Sequence, residues 1–165
     1  MIKKKVCMVG SFAVGKTSLV AQFVSSIFSD KYHTTLGVKI DKKSISCEGS
    51  DVNLMIWDLA GEDEFQQLNL SYLKGTSGYL LVCDGTRKAT LDKALELKER
   101  IETHLGALPF CLLINKYDLA HEWEVSENDI DTLKNKGWAI FQTSAKSGVF
   151  VEEAFRTLAQ KDPHG

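Results

Sequence analysis

The octapeptide Gly10-Ser11-Phe12-Ala13-Val14-Gly15-Lys16-Thr17 constrains this chain more than any other feature. An apolar run, Val6–Val9, precedes it, and Leu19, Val20, Phe23, Val24 and Ile27 follow on one helical face. A strand must therefore turn through a glycine-rich loop directly into a helix. The loop also reads as an anion cradle. Glycines at 10 and 15 let backbone N–H groups approach a phosphate, and the helix N-terminus adds a positive dipole end. Lys16 supplies a mobile charge for β/γ oxygens, and the Thr17 hydroxyl suits Mg²⁺.

The rest of the chain repeats the pattern. Apolar runs at Leu54–Trp57, Tyr79–Cys83, Phe110–Ile114 and Ala139–Phe141 suit strands buried on both faces of a parallel sheet. Between them, Ala94, Leu97, Ile101 and Leu105 share a helical face, as do Val151, Ala154, Phe155 and Leu158. An open α/β sheet with helices on both faces is predicted. Residues 38–47 and 51–58 depart from it, because only Glu48-Gly49-Ser50 separates them. So short a link permits a hairpin but no crossover, so one strand should run antiparallel. Around 126–136 only Ile130 and Leu133 give a stripe, and Ser126 before Asp129 resembles a capping box loosely.

A chain of 165 residues with 44% apolar content can bury one core, so residues 1–165 read as one domain. The net charge of −2 gives no electrostatic case for nucleic acid. Lys3-Lys4-Lys5 reads as a solvated strand start rather than a membrane patch. Cys7, Cys47, Cys83 and Cys111 lack ligand-type spacing and read as reduced, structural thiols of a cytoplasmic protein. His33, His104, His121 and His164 are scattered and read as surface or cap residues, not metal ligands. No apolar stretch approaches the ~20 residues that span a bilayer. No secretory leader is expected, and Lys161–Gly165 offers no cysteine for prenylation. The expectation is a monomer without a direct membrane anchor.

Two further segments fall at consecutive predicted strand ends, where open α/β sheets bind ligands. In Asn115-Lys116-Tyr117-Asp118, the Asp118 carboxylate can accept two donors, which guanine offers at N1 and its 2-amino group. Adenine offers neither, and would leave a buried carboxylate unpaired. Asn115 is expected to tie this loop to the phosphate loop, and the Lys116 stem to cover the base. Ser144-Ala145-Lys146 then presents backbone N–H groups to the guanine carbonyl. Either segment alone is a weak signal. Both, after a phosphate loop, point to guanine nucleotide and away from a P-loop kinase or ATPase.

With Thr34-Thr35-Leu36-Gly37-Val38, Trp57-Asp58-Leu59-Ala60-Gly61-Glu62, Asp84-Gly85-Thr86 and Gln142-Thr143-Ser144-Ala145-Lys146 added, the chain resembles the Ras-like small GTPases, on their Rab-like side. The resemblance implies a P-loop NTPase fold: a six-stranded, mostly parallel sheet with one antiparallel edge strand, and five helices. It implies an Mg²⁺-dependent switch that binds GTP and GDP, hydrolyses GTP, and is active with GTP bound. Gly10, Ala13, Val14, Gly15, Lys16, Thr17 and Ser18 would surround the phosphates. Thr35 would ligate Mg²⁺ with Thr17 and Asp58, and touch the γ-phosphate together with Gly61. Phe28 would pack on guanine and Tyr32 would close over the phosphates. An exchange factor, an activating protein and effectors would contact residues 30–45 and 62–75.

Three departures bear on function. Relatives carry Gln where this chain has Glu62, in the position that orients the attacking water. A carboxylate there brings negative charge towards the γ-phosphate, accepts a proton from water, or turns to solvent beside Asp63 and Glu64. Phe12 stands where a small residue is usual, and its ring would block an arginine finger from a partner. The only arginines are Arg87, Arg100 and Arg156, none in a switch segment, so no internal finger is expected. Slow hydrolysis follows, or in the alternative a guanine-nucleotide module that signals by occupancy with little hydrolysis. Membrane-cycling relatives carry a long lipidated C-terminal extension, whereas the sequence here stops soon after Val151–Leu158, so a soluble branch, plausibly prokaryotic, or access to membranes through a partner is expected. Trp123, after Asp118, reads as a packing residue or a partner contact.

Overall fold

The computed structural model describes residues 2–26, 38–59 and 68–161. Ile27, Phe28, Tyr32, His33, Thr35, Gly61, Glu62 and His164 lie outside the described residues. Six strands, β1 (Ile2–Gly10), β2 (Val38–Cys47), β3 (Ser50–Leu59), β4 (Gly78–Asp84), β5 (Phe110–Asn115) and β6 (Ile140–Gln142), form one sheet in the order β2-β3-β1-β4-β5-β6. All pairs are parallel except β2–β3. The edge strand is thus the antiparallel one, as the short link requires. Cys47 pairs with Ser50, and Glu48 (φ 50°) and Gly49 (φ 80°) make a two-residue turn with both centres left-handed.

The described residues carry four α-helices: α1 (Lys16–Ser25), α2 (Lys88–Leu105), α3 (Glu127–Lys134) and α4 (Val151–Gln160). Two 3₁₀ turns, Leu70–Leu73 and Tyr117–Glu122, complete the described elements. Successive strand residues bury on opposite faces. Val6, Met8, Leu80, Val82, Cys111 and Leu113 pack with α1 and α4; Cys7, Val9, Tyr79, Leu81, Leu112 and Ile114 pack with α2 and α3. This two-sided burial explains why these strands read as unbroken apolar runs. None of the described helices is long and apolar enough to cross a membrane.

Two expectations change in detail. Ser126 and Asp129 form a full capping box, each side chain accepting the other's backbone N–H, which starts α3 despite its thin stripe. The basic run is not simply solvated: Lys3 is exposed, whereas Lys4 and Lys5 are half-buried. Lys4 donates to the Ala159 carbonyl at the end of α4, favourable for a cation at that dipole end. On the other face, Lys5 donates to Lys74 O at 3.0 Å and lies 3.7 Å from the Trp57 ring centroid.

Candidate functional site

The loop between β1 and α1 is held by close approaches that only glycine allows. A Cβ on Gly10 would come 2.4 Å from the Val82 carbonyl of β4. Gly15 sits at φ 100°, and a Cβ there would lie 2.3 Å from Asn115 Nδ2. Glycine at 10 and 15 therefore lets the loop nest against two strand ends at once. Gly15 also starts α1 without a side-chain cap, and no acidic residue occupies the first turn, so the helix end stays receptive to an anion.

Lys16 is 6% exposed and curls back over the loop, donating to Gly10 O at 3.3 Å and Ser11 O at 3.0 Å. Burial pulls its ammonium down from 10.5 to about 8, with the Asp58 charge opposing the shift. Beside it in the chain, Thr17 Oγ1 donates to Asp58 Oδ2 at 2.6 Å, and Asp58 itself is buried in β3. A hydroxyl oxygen and a carboxylate oxygen thus converge beside the lysine. Such hard donors suit Mg²⁺, which typically takes one or two carboxylates and completes its shell with water and substrate phosphates. The donor set fits the metal expected there.

The Asn115–Asp118 and Ser144–Lys146 segments meet the Gly10–Thr17 loop through Asn115 at the end of β5. Its Nδ2 donates to Val14 O at 3.0 Å, and its Oδ1 accepts from Thr143 Oγ1 at 3.2 Å. Asp118 Oδ1 accepts from Ser144 Oγ at 2.8 Å, which joins the two segments directly. Ser144 and Ala145 are buried; Lys146 is exposed. Asp118 is exposed too, not buried as the guanine argument assumed. Lys116, at φ 74°, sends its ammonium to Asp84 Oδ2 at 2.8 Å, which fixes the direction of its stem.

The structure thus brings Gly10, Ala13, Val14, Gly15, Lys16, Thr17, Ser18, Asp58, Asn115, Lys116, Asp118, Ser144, Ala145 and Lys146 to one end of the sheet. Phe28, Tyr32, Thr35, Gly61 and Glu62 lie outside the described residues. Phe12 is 37% exposed on the phosphate loop. The turn after β4 also reaches the loop, which its sequence did not signal. Arg87 lies in no switch segment, yet its Nη2 donates to Phe12 O at 3.3 Å and Ala13 O at 3.0 Å. Its one sequence signal was the i,i+3 spacing from Asp84, whose Oδ2 its Nε meets at 3.0 Å. Trp123 packs on Gly85 and donates from Nε1 to Lys116 O at 2.8 Å, so it braces the Lys116–Asp118 loop from within.

The sequence is similar to known proteins along most of its length. Residues 5–163 match the model of the Ras family. The chain is 32% identical to the Ras-related protein Rab-13 of Bos taurus, over 94% of this chain and 78% of that protein. It is 32% identical to the Ras-related protein RABA2d of Arabidopsis thaliana, over 97% and 75%. To the Ras-related protein RGP2 of Oryza sativa it is 33% identical, over 93% and 72%.

Proposed function

This chain belongs to the Ras family of small GTPases, and from that premise we propose that it is an Mg²⁺-dependent switch, active with GTP and inactive with GDP, with slow intrinsic hydrolysis. Guanine-nucleotide binding and GTP hydrolysis in general come with the family. The observation that carries the finer reading is the Asn115–Val14 bond, which spans 101 positions and ties a guanine-reading loop to a phosphate loop.

On this reading the phosphates lie along residues 10–18, and Lys16 exchanges its two carbonyl partners for β/γ oxygens. Thr17, Thr35 and Asp58 hold the metal, which when bound neutralises charge developing on the β- and γ-oxygens. Thr35 and Gly61 share the γ-phosphate as their only common partner, so its loss releases both segments. Glu62 occupies the water-positioning place in the sequence, where its charge supports or hinders hydrolysis, and Phe12 narrows the approach of any arginine from a partner. Asp118, Lys116 and the Ser144–Lys146 amides read guanine, Phe28 packs on it, and Tyr32 covers the phosphates.

An exchange factor, an activating protein and effectors engage residues 30–45 and 62–75. Ile40, 46% exposed and paired with Trp57, supports that surface, with the Trp57 and Tyr72 rings 6.1 Å apart. Four free, buried thiols support a reducing, cytoplasmic compartment, and one monomeric domain over residues 1–165 is the unit of action.

Single-turnover hydrolysis tests the proposal: protein loaded with GTP receives Mg²⁺, and GDP is followed by chromatography. Conversion lost on Lys16→Ala supports the enzyme, and the Glu62→Gln rate gives the sign of the carboxylate's effect. Tight, GTP-selective binding without conversion, alone or with an activating partner, would replace the switch with an occupancy module. Equal competition by ATP would overturn the guanine reading.

A further inference from the structure

The turn after β4 stands between the two ligand-facing loops and touches both. Asp84, the last residue of β4, keeps a side chain only 1% exposed. Its Oδ2 takes Lys116 Nζ at 2.8 Å and Arg87 Nε at 3.0 Å, while Oδ1 takes Thr86 N at 2.9 Å and Thr86 Oγ1 at 2.7 Å. Those partners hold its carboxyl below the usual carboxylate range although burial pushes the other way. From this anchor the guanidinium of Arg87 spans to the carbonyls of Phe12 and Ala13.

We propose that Arg87 is a positioning residue of the phosphate loop, acting through the Phe12 and Ala13 carbonyls on the amides of Ala13 and Val14, with Asp84 coupling it to the base-reading Lys116. The inference rests on the phosphate-loop reading above. In a trans peptide the C=O and the following N–H point in opposite directions. A carbonyl turned outward to Arg87 therefore directs its partner N–H away from the guanidinium, towards the cradle. A cation on the oxygen polarises the unit and makes that N–H a stronger donor to an anion. The same contacts flank Ala13, which holds φ 63°, a conformation that non-glycine residues seldom adopt. Two bonds to one guanidinium help fix the loop in it.

The fork is needed for this work. One guanidinium reaches the carboxylate through Nε and two carbonyls through Nη2. An ammonium is a point donor and cannot span both ends. The cradle and the base loop thus share one buried carboxylate, and loosening either partner is felt at the other.

The test measures release of a fluorescent GDP analogue and the ³¹P spectrum of bound GDP for wild type, Arg87→Lys and Arg87→Met. Both variants should release nucleotide about 5–20-fold faster, as expected for one lost charge-assisted contact. They should also shift the β-phosphate resonance more than the α, with thermal midpoints near wild type. The phosphorus shift separates amide polarisation from general loosening. Asp84→Asn, which keeps the volume but weakens the anchor, should move the β-phosphate resonance in the same direction. Unchanged release and an unmoved resonance in Arg87→Met would overturn the proposal, and so would an Arg87→Lys variant indistinguishable from wild type. Wild-type protein that holds no GDP at all would overturn the nucleotide reading and this inference together.

Discussion

The indole of Trp123 fills the space that a side chain at position 85 would need: a Cβ on Gly85 would lie 2.1 Å from the ring. The same indole donates to Lys116 O at 2.8 Å, and Gly85 O accepts the amides of Glu124 and Val125 at 2.9 and 3.1 Å. Gly85 is therefore a seat, and Trp123 the weight that settles the Lys116–Asp118 loop. Gly85→Ala should displace the ring and cost about 1–3 kcal/mol, the usual penalty for overpacking. Urea unfolding would read that loss, and nucleotide release should quicken with it. A stable variant with unchanged release would show that the ring position is irrelevant to the loop.

The buried strands and the phosphate loop were legible because their signals are local. An apolar run of β4 type, buried on both faces, announces itself without knowledge of its neighbours, and the Gly10–Gly15 spacing carries its own steric meaning. Trp123 was legible as a packing residue, but neither its partners nor those of Arg87 were, because they depend on which strand ends the topology brings together. Arg87 meets a carbonyl 75 positions away, and no periodicity encodes that pairing. The exposure of Asp118 was not legible either, because it is set by how far the loop stands from the sheet, which a tetrapeptide does not reveal. In the same way the Lys4 and Lys5 heads found partners on opposite sheet faces that the basic run alone could not name.

Lys16 should make nucleotide binding depend on pH. Its pKa in the fold is about 8, below the ordinary 10.5, because burial disfavours the ammonium. Between those values the unfolded chain binds more protons, so stability of the nucleotide-free protein rises with pH. That contribution is complete above 10.5 and lost as pH falls through about 8. Phosphates reverse the bias by favouring the ammonium, so binding above pH 8 takes up a proton and affinity falls as pH rises. Calorimetry at pH 8.5 in two buffers of different ionisation enthalpy should give different heats, and Lys16→Met should remove the difference. Equal heats for wild type would refute the argument.

Ser126 offers a prediction confined to stability. Its Oγ accepts Asp129 N at 3.1 Å while Asp129 Oδ2 accepts Ser126 N at 2.9 Å, so two orphan amides at the start of α3 are satisfied together. Ser126→Ala should cost about 1 kcal/mol in chemical denaturation. Nucleotide release should not change, since α3 contributes no residue to the candidate site. A release rate that moved with this cap would mean that α3 is coupled to the base-reading loop.

Asn115 should matter more than its lack of charge suggests. It is 2% exposed and serves both ligand-facing loops, donating to Val14 O and accepting from Thr143 Oγ1. Asn115→Ala leaves two buried polar groups without partners, each costing about 1–3 kcal/mol. It also opens space beside Gly15, whose backbone is held against the amide closely enough that a Cβ would sit 2.3 Å from Nδ2. Both loops then loosen together, and GDP release should accelerate ~100-fold, equivalent to nearly 3 kcal/mol. Asn115→Asp keeps the volume and the acceptor for Thr143 but replaces the donor with a carboxylate facing the Val14 carbonyl. It should release GDP at least as fast as the alanine variant, because charge repulsion adds to the lost bond. Were Asn115→Asp to hold GDP as tightly as wild type, the bond to Val14 would not be what joins the base-reading loop to the phosphate loop.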